Sequence, residues 1–265
     1  MLSYPFLARA MLVGVLVSLC SALLGASLVL KRYSMIGDGL SHVGFGALAI
    51  ASALGWAPLA VAVPVVVAAA VVLLRVSQTR SAIKGDAAVA LISSGALAVG
   101  VLVISLTSGA NTNVSNYMFG SILTVSRADA WLSAALCAAV LACYTLFYPR
   151  IFAVTFDETF MRATGGKAGR YNMLLAVLTA VTVVLGMRMM GALLISSLII
   201  FPPLAAMRVF RSFKSVTLCS AALSVVCFVI GMTASYALET PSGASVVCAD
   251  ILAFAAFAAV GCIKK

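Results

Sequence analysis

The sequence predicts an all-α protein embedded in a membrane, a single domain over 1–265 built from about nine transmembrane helices, eight at the least. Three observations carry this. Apolar residues make up 64% of the 265 and charged residues only 9%, far outside the range of a water-soluble domain. The apolar residues fall in uncharged runs of about the length needed to cross the hydrocarbon layer. The basic residues, which give the chain a net charge of +10, stand singly or in small groups between those runs. That scatter forms no patch for a nucleic acid; it reports orientation in a lipid bilayer.

Taken in order, the runs are approximately 10–30, 39–55, 56–74, 87–107, 130–148, 171–187, 189–207, 215–237 and 246–262. The first follows Arg9 and exceeds the apolar core of a signal peptide, so it reads as a retained helix. The second begins beside Asp38 and the ninth contains Asp250; discounting one of them gives the lower count. Gly37, Gly39, Gly44 and Gly46 in the second permit close helix contact and local unwinding around Asp38. Pro64 is expected to bend the third helix. Pro202 and Pro203, which cannot donate into the helix ladder, are expected to kink or break the seventh. Between the fourth and fifth runs, 108–129 is polar at Asn111, Asn113, Ser115 and Asn116 and too short to span, which predicts a re-entrant or interfacial segment. Thr240-Pro-Ser-Gly243 makes the turn before the last helix. The seven cysteines all lie in apolar stretches without a Cys-x-x-Cys pair and read as small packing residues.

Orientation follows from the basic residues. With the N-terminus outside, the C-terminus inside and nine alternating spans, fourteen of the seventeen lysines and arginines fall in inside loops, leaving only Arg9, Arg127 and Arg188 outside. An even number of spans would move a basic cluster outside.

Two places carry chemistry. In the stretch KRYSMIGDGLSHVGFG (31–46), Asp38 and the chain's single histidine, His42, are four residues apart. On a helix that spacing stacks both side chains on one face about 6 Å apart along the axis, where a carboxylate oxygen and an imidazole nitrogen can converge on one cation. Ionisable residues in hydrocarbon are costly and are retained for function. The competing structural reading puts Asp38 at a helix end near the interface, with His42 hydrogen-bonded inside the bundle. The second place is the inside loop 149–170. There Thr155 and Asp157 are candidate caps, Phe156 and Phe160 share one helical face, and Gly165-Gly166 stops the helix. A short amphipathic helix results, suited either to a protein groove or to the lipid interface. Gly-Gly-Lys167 is no phosphate loop, because Met161 stands where a glycine is needed and no strand precedes it. The chain has no nucleotide site of its own.

Together with YMFGSIL (117–123), the run MGALLISSLIIFP (190–202) and PSGA (241–244), these stretches resemble, in order and over almost the whole chain, the membrane permeases of zinc, manganese and iron ABC importers. The resemblance implies a homodimeric permease in a bacterial cytoplasmic membrane, served by two cytoplasmic ABC ATPase subunits and by an extracytoplasmic metal-binding protein. It implies a transport subunit rather than an enzyme, with ATP hydrolysed by the separate ATPase and no permanently bound cofactor, only a transported divalent metal. It places Asp38 and His42 at the intramembrane metal position. It makes 149–170 the coupling loop, with Phe156, Asp157, Glu158, Phe160 and Gly165 as its residues. Val43-Gly-Phe-Gly46 after the histidine lacks the Leu-Pro-Gly of many manganese-type members and leans toward zinc, whereas Ile92-Ser93-Ser94 lacks the further histidine of some zinc permeases. One imidazole and one carboxylate suit Zn²⁺, Mn²⁺ or Fe²⁺ alike. Two other classes stay open: a gradient-driven secondary metal carrier, and an intramembrane hydrolase using Asp38, Ser41 and His42, for which a His-Glu-x-x-His metal site is impossible with one histidine.

Overall fold

The computed structural model describes residues 5–78, 85–108 and 127–263. Most of the segment expected to be re-entrant or interfacial, 109–126, lies outside them, as do Arg80, Lys84, Lys264 and Lys265. The described elements are helices: α1 (Pro5–Leu30), α2 (Met35–Ala53), α3 (Pro58–Gln78), α4 (Gly85–Ser108), α5 (Arg127–Leu146), α6 (Tyr148–Phe156), α7 (Glu158–Ala163), α8 (Ala168–Met190), α9 (Ala192–Val209), α10 (Phe213–Leu238) and α11 (Ser242–Ile263).

Seven of these, α1, α3, α4, α8, α9, α10 and α11, are long and apolar enough to cross a membrane. The pair α5 and α6, bent by 69°, makes an eighth if taken as one span. The bend falls before Pro149, which has no N–H to continue the ladder. The remaining expected span is α2, helical over 19 residues but diluted by Asp38, His42 and its glycines.

Two helices organise the core. α1 packs against α5, α8, α9 and α10, and α2 against α3, α4, α8 and α9. Thirteen of the residues of α2 are buried. The glycines there serve contact rather than unwinding: a Cβ on Gly46 would lie 2.8 Å from the Ala96 carbonyl oxygen of α4. The expected unwinding around Asp38 is therefore absent, and the helix runs without interruption from Met35.

The prolines of the seventh run do not break it, which is one of the two outcomes expected of them. α9 continues through Pro202 and Pro203 to Val209. Pro203 leaves the carbonyl of Ile199, four residues earlier, without its helical donor. That carbonyl is packed directly against Gly25 of α1, and this tight contact holds the helix through the prolines where propensity alone would break it. The chain turns instead at Gly191, whose φ of +89° joins α8 to α9 in one residue.

The corner between α1 and α2 is equally tight. Tyr33 N–H donates to Leu28 O and Arg32 N–H to Val29 O, with Arg32 in the left-handed region at φ +61°. This is a Schellman motif with arginine where glycine is usual.

Candidate functional site

Asp38 lies in the first turn of α2, and His42 one turn later. His42 Nε2 is 3.6 Å from Asp38 Oδ2. The Ser41 hydroxyl turns away to donate to the Asp38 carbonyl at 2.7 Å, so it is no candidate nucleophile beside the histidine. In the first half of α2 the neighbours of the pair are buried, whereas Met35, Asp38 and His42 keep accessible surface. Their spacing of three and four residues puts them on one face. α2 thus presents an open stripe carrying a carboxylate and an imidazole, while its other faces are closed by four helices. The two expected ligands are brought together, and the helix-end reading is also partly right, since Asp38 is a first-turn residue. Among the described residues no group of three or more His, Cys, Asp or Glu side chains gathers anywhere. One chain brings two candidate ligands to this face.

The loop 149–170 is almost wholly helical, but not as one helix. Phe156 ends α6 and Phe160 lies in α7, because Asp157 between them adopts φ −144°, ψ 83°. The expected shared helical face of Phe156 and Phe160 does not exist. Asp157 is extended because it caps α7: its Oδ1 accepts from Phe160 N–H at 2.7 Å. Thr155 is no cap; its hydroxyl donates back to the Ile151 carbonyl. Gly165 ends α7 as expected, at φ +79°, with Gly165 N–H on Arg162 O and Gly166 N–H on Met161 O. Both phenylalanines remain accessible, Phe156 at 56% and Phe160 at 64%. Phe156 also stacks on Phe152 and on Phe213 at the start of α10, with ring centroids 5.0 and 5.7 Å away.

A polar cluster that sequence reasoning did not foresee sits behind this loop. Lys31, at the end of α1, has its side chain only 8% exposed. Its ammonium donates to Val154 O at 3.0 Å, to Asn172 Oδ1, and to Glu158 Oε2 at 3.4 Å. A lysine has three N–H donors, and each has a partner. Asn172 Nδ2 donates to the same Glu158 oxygen at 2.9 Å, and Arg162 pairs with the other. Burial pulls the Lys31 amine below the usual lysine range, against the opposing pull of Glu158 and with a smaller push from Arg162. For Glu158, burial alone would push the carboxyl up; hydrogen bonds from Asn172 and Arg162 and the charge of Lys31 outweigh it and hold the group below the usual carboxylate range. The sequence signal was a lone asparagine one residue inside the sixth apolar run.

A second buried carboxyl, Asp250 on α11, accepts from Ser197 of α9 through Oδ2 at 2.9 Å. Its Oδ1 is buried without a hydrogen-bond partner among the described residues.

Comparison with known proteins places these features in context. The ABC 3 transport family matches residues 3–261. "Manganese import system permease protein ScaB" of Streptococcus gordonii is 28% identical over 251 residues, covering 95% of this chain and 90% of that protein. "Probable iron transport system membrane protein" of Haemophilus influenzae is 30% identical, covering 95% and 89%. Among solved structures, "PsaBC from Streptococcus pneumoniae in complex with Fab" superposes with a TM-score of 0.86 at 26% identity, over 96% of this chain and 91% of that one.

Proposed function

Because this chain belongs to the ABC 3 transport family, we propose that it is the membrane permease of an ATP-driven importer that carries a divalent first-row transition metal into the cytoplasm along the open face of α2. The observation that carries this reading is the Asp38–His42 pair on a stripe of a central helix that keeps accessible surface. A metal crossing the bilayer must exchange water for protein ligands, and it must be held loosely enough to leave. Two ligands per chain fall short of a full coordination shell, and a second copy meeting the first across this face supplies two more, enough for four-coordination with water making up any remainder. The homodimer is thus part of the proposal. So are the cytoplasmic ATPase subunits, seated on Phe156 and Phe160, and an extracytoplasmic metal-binding protein that loads the path. The N-terminus is outside and the C-terminus inside.

Within the metal class, the residues after His42 favour zinc, whereas the relatives whose names state a metal name manganese and iron. The test is uptake of Zn²⁺, Mn²⁺ and Fe²⁺ by the permease reconstituted in proteoliposomes with its ATPase and binding protein. ATP-dependent accumulation of one of them is the expected result. Accumulation driven by an ion gradient without ATPase would overturn it in favour of a secondary carrier. Orientation is read separately, by placing single cysteines at Thr164 and Thr240 of a cysteine-free chain: only the second is expected to react with an impermeant thiol reagent in intact cells.

A further inference from the structure

Lys31 stands at a junction of four helices. It lies within the Schellman corner from which α2 emerges, and Asp38 follows only seven residues later. Its ammonium reaches across 123 to 141 residues of sequence to α6, α7 and α8 at once. The contact with Val154 is to a backbone carbonyl in the last turn of α6, where the break at Asp157 removes the regular helical partner. Glu158 is the first residue of α7, and Asn172 lies in the second turn of α8. Beside the cluster is a small cavity of about 20 Å³ lined by Lys31, Asn172, Tyr33, Ile36 and Thr179. The cavity lies between Ile36, in the first turn of α2, and residues of α3 and α8, so one side of that turn is less closely packed.

We propose that Lys31 is a positioning residue for transport: its three-way bond to Val154, Glu158 and Asn172 makes the α6–α7 loop and the α1–α2 corner move as one piece, so that displacement of the loop is delivered to the first turn of α2 and opens or closes the Asp38–His42 face. This rests on the reading of that face as the metal path and of the loop as the ATPase contact. A buried, fully bonded ammonium transmits displacement because breaking any one bond leaves a buried charge under-satisfied. Apolar packing at this position would permit sliding.

The test uses the complete importer, permease with ATPase and binding protein, in proteoliposomes. Lys31→Met keeps most of the apolar stem and removes the charge; Asn172→Leu removes the partner on α8 together with its bond to Glu158. Each is expected to assemble with the ATPase yet lower metal uptake per ATP hydrolysed by about tenfold, the scale of a coupling free energy. Uptake per ATP within about twofold of the unmodified protein in an assembled Lys31→Met complex would overturn the proposal. A second readout follows α2 itself. In a background with the seven cysteines replaced, Met35→Cys at the accessible start of α2 is expected to change its thiol reactivity on ATP addition, and to lose that change in Lys31→Met. Absence of any ATP-dependent change in the otherwise unmodified background, or its persistence in Lys31→Met, also overturns the proposal. This readout requires no knowledge of the metal, so a failed uptake assay with an intact thiol response would count against the proposed cargo and not against Lys31.

Discussion

Gly25 of α1 lies against the carbonyl of Ile199 in α9, so close that a Cβ on the glycine would stand 2.1 Å from that oxygen. The carbonyl is the one that Pro203 leaves without a donor. The relationship ties the two helices together at their backbones, with no side chain between them able to yield. Gly25→Ala is therefore expected to force the helices apart and cost about 1–3 kcal/mol. Gly95 of α4, whose Cβ would meet nothing within 4 Å, is the contrast: Gly95→Ala is expected to be neutral or to stabilise by up to about 1 kcal/mol. Thermal unfolding of the detergent-solubilised variants checks both.

Asp38→Ala and His42→Ala are each expected to abolish metal uptake while leaving expression, thermal stability and ATPase association close to normal. The side chains contact each other from a partly open face, so losing one strands no fully buried charge. Normal uptake by a well-folded His42→Ala protein would remove the metal assignment.

Phe160→Asp puts a charge on the most exposed aromatic ring of the α6–α7 loop. If that ring enters an apolar groove of the ATPase, association and transport fall together, because an unpaired charge is then buried at the contact. Phe160 is 64% exposed, so the unfolding temperature of the permease is expected to stay within experimental error. Co-purification of the two subunits decides the matter.

Asp250→Asn tests the buried carboxyl on α11. Asparagine can still accept from Ser197 through its oxygen, and it removes an ionisable group from a helix that crosses the membrane. Stability is expected to be unchanged or raised, by about 1 kcal/mol or less. A large loss would show that the carboxylate charge has a partner in the assembled importer.

The Glu158 cluster has a defined pH dependence. The folded-state value of Glu158 lies below its ordinary 4.5, so its contribution to stability is complete above that value and lost as pH falls through the lowered one. The Lys31 shift has the opposite consequence: a lysine pulled below its ordinary 10.5 costs stability at neutral pH, and that cost fades as pH rises. The stability difference between the unmodified protein and Glu158→Gln is therefore expected to be flat from neutrality down to about pH 5 and to shrink below it, as chemical denaturation at several pH values would show.

The long helices were legible because hydropathy runs and basic punctuation follow from the bilayer and need no tertiary information. Asp38 and His42 were legible because a helical period converts their spacing directly into adjacency. Two departures were decided by what lies across the fold: the backbone of α1 beside the prolines of α9, and the carbonyl of Ala96 beside the glycines of α2. The lost common face of Phe156 and Phe160 follows locally from Asp157, a candidate cap in the sequence, capping α7 and so splitting the loop into two short helices. Lys31 was read only as an orientation signal, since nothing local reveals that its partners lie more than a hundred residues away.

That separation also sets an order on the making of the protein. Lys31 leaves the ribosome well before Val154, Glu158 and Asn172 exist, so the first two helices enter the membrane with this ammonium still in water. The corner between them has no means of fixing its final pose until the second half of the chain arrives. A nascent chain stopped before residue 154 holds a lysine with none of its three partners, and the corner that leads to Asp38 stays untethered for as long as synthesis lasts.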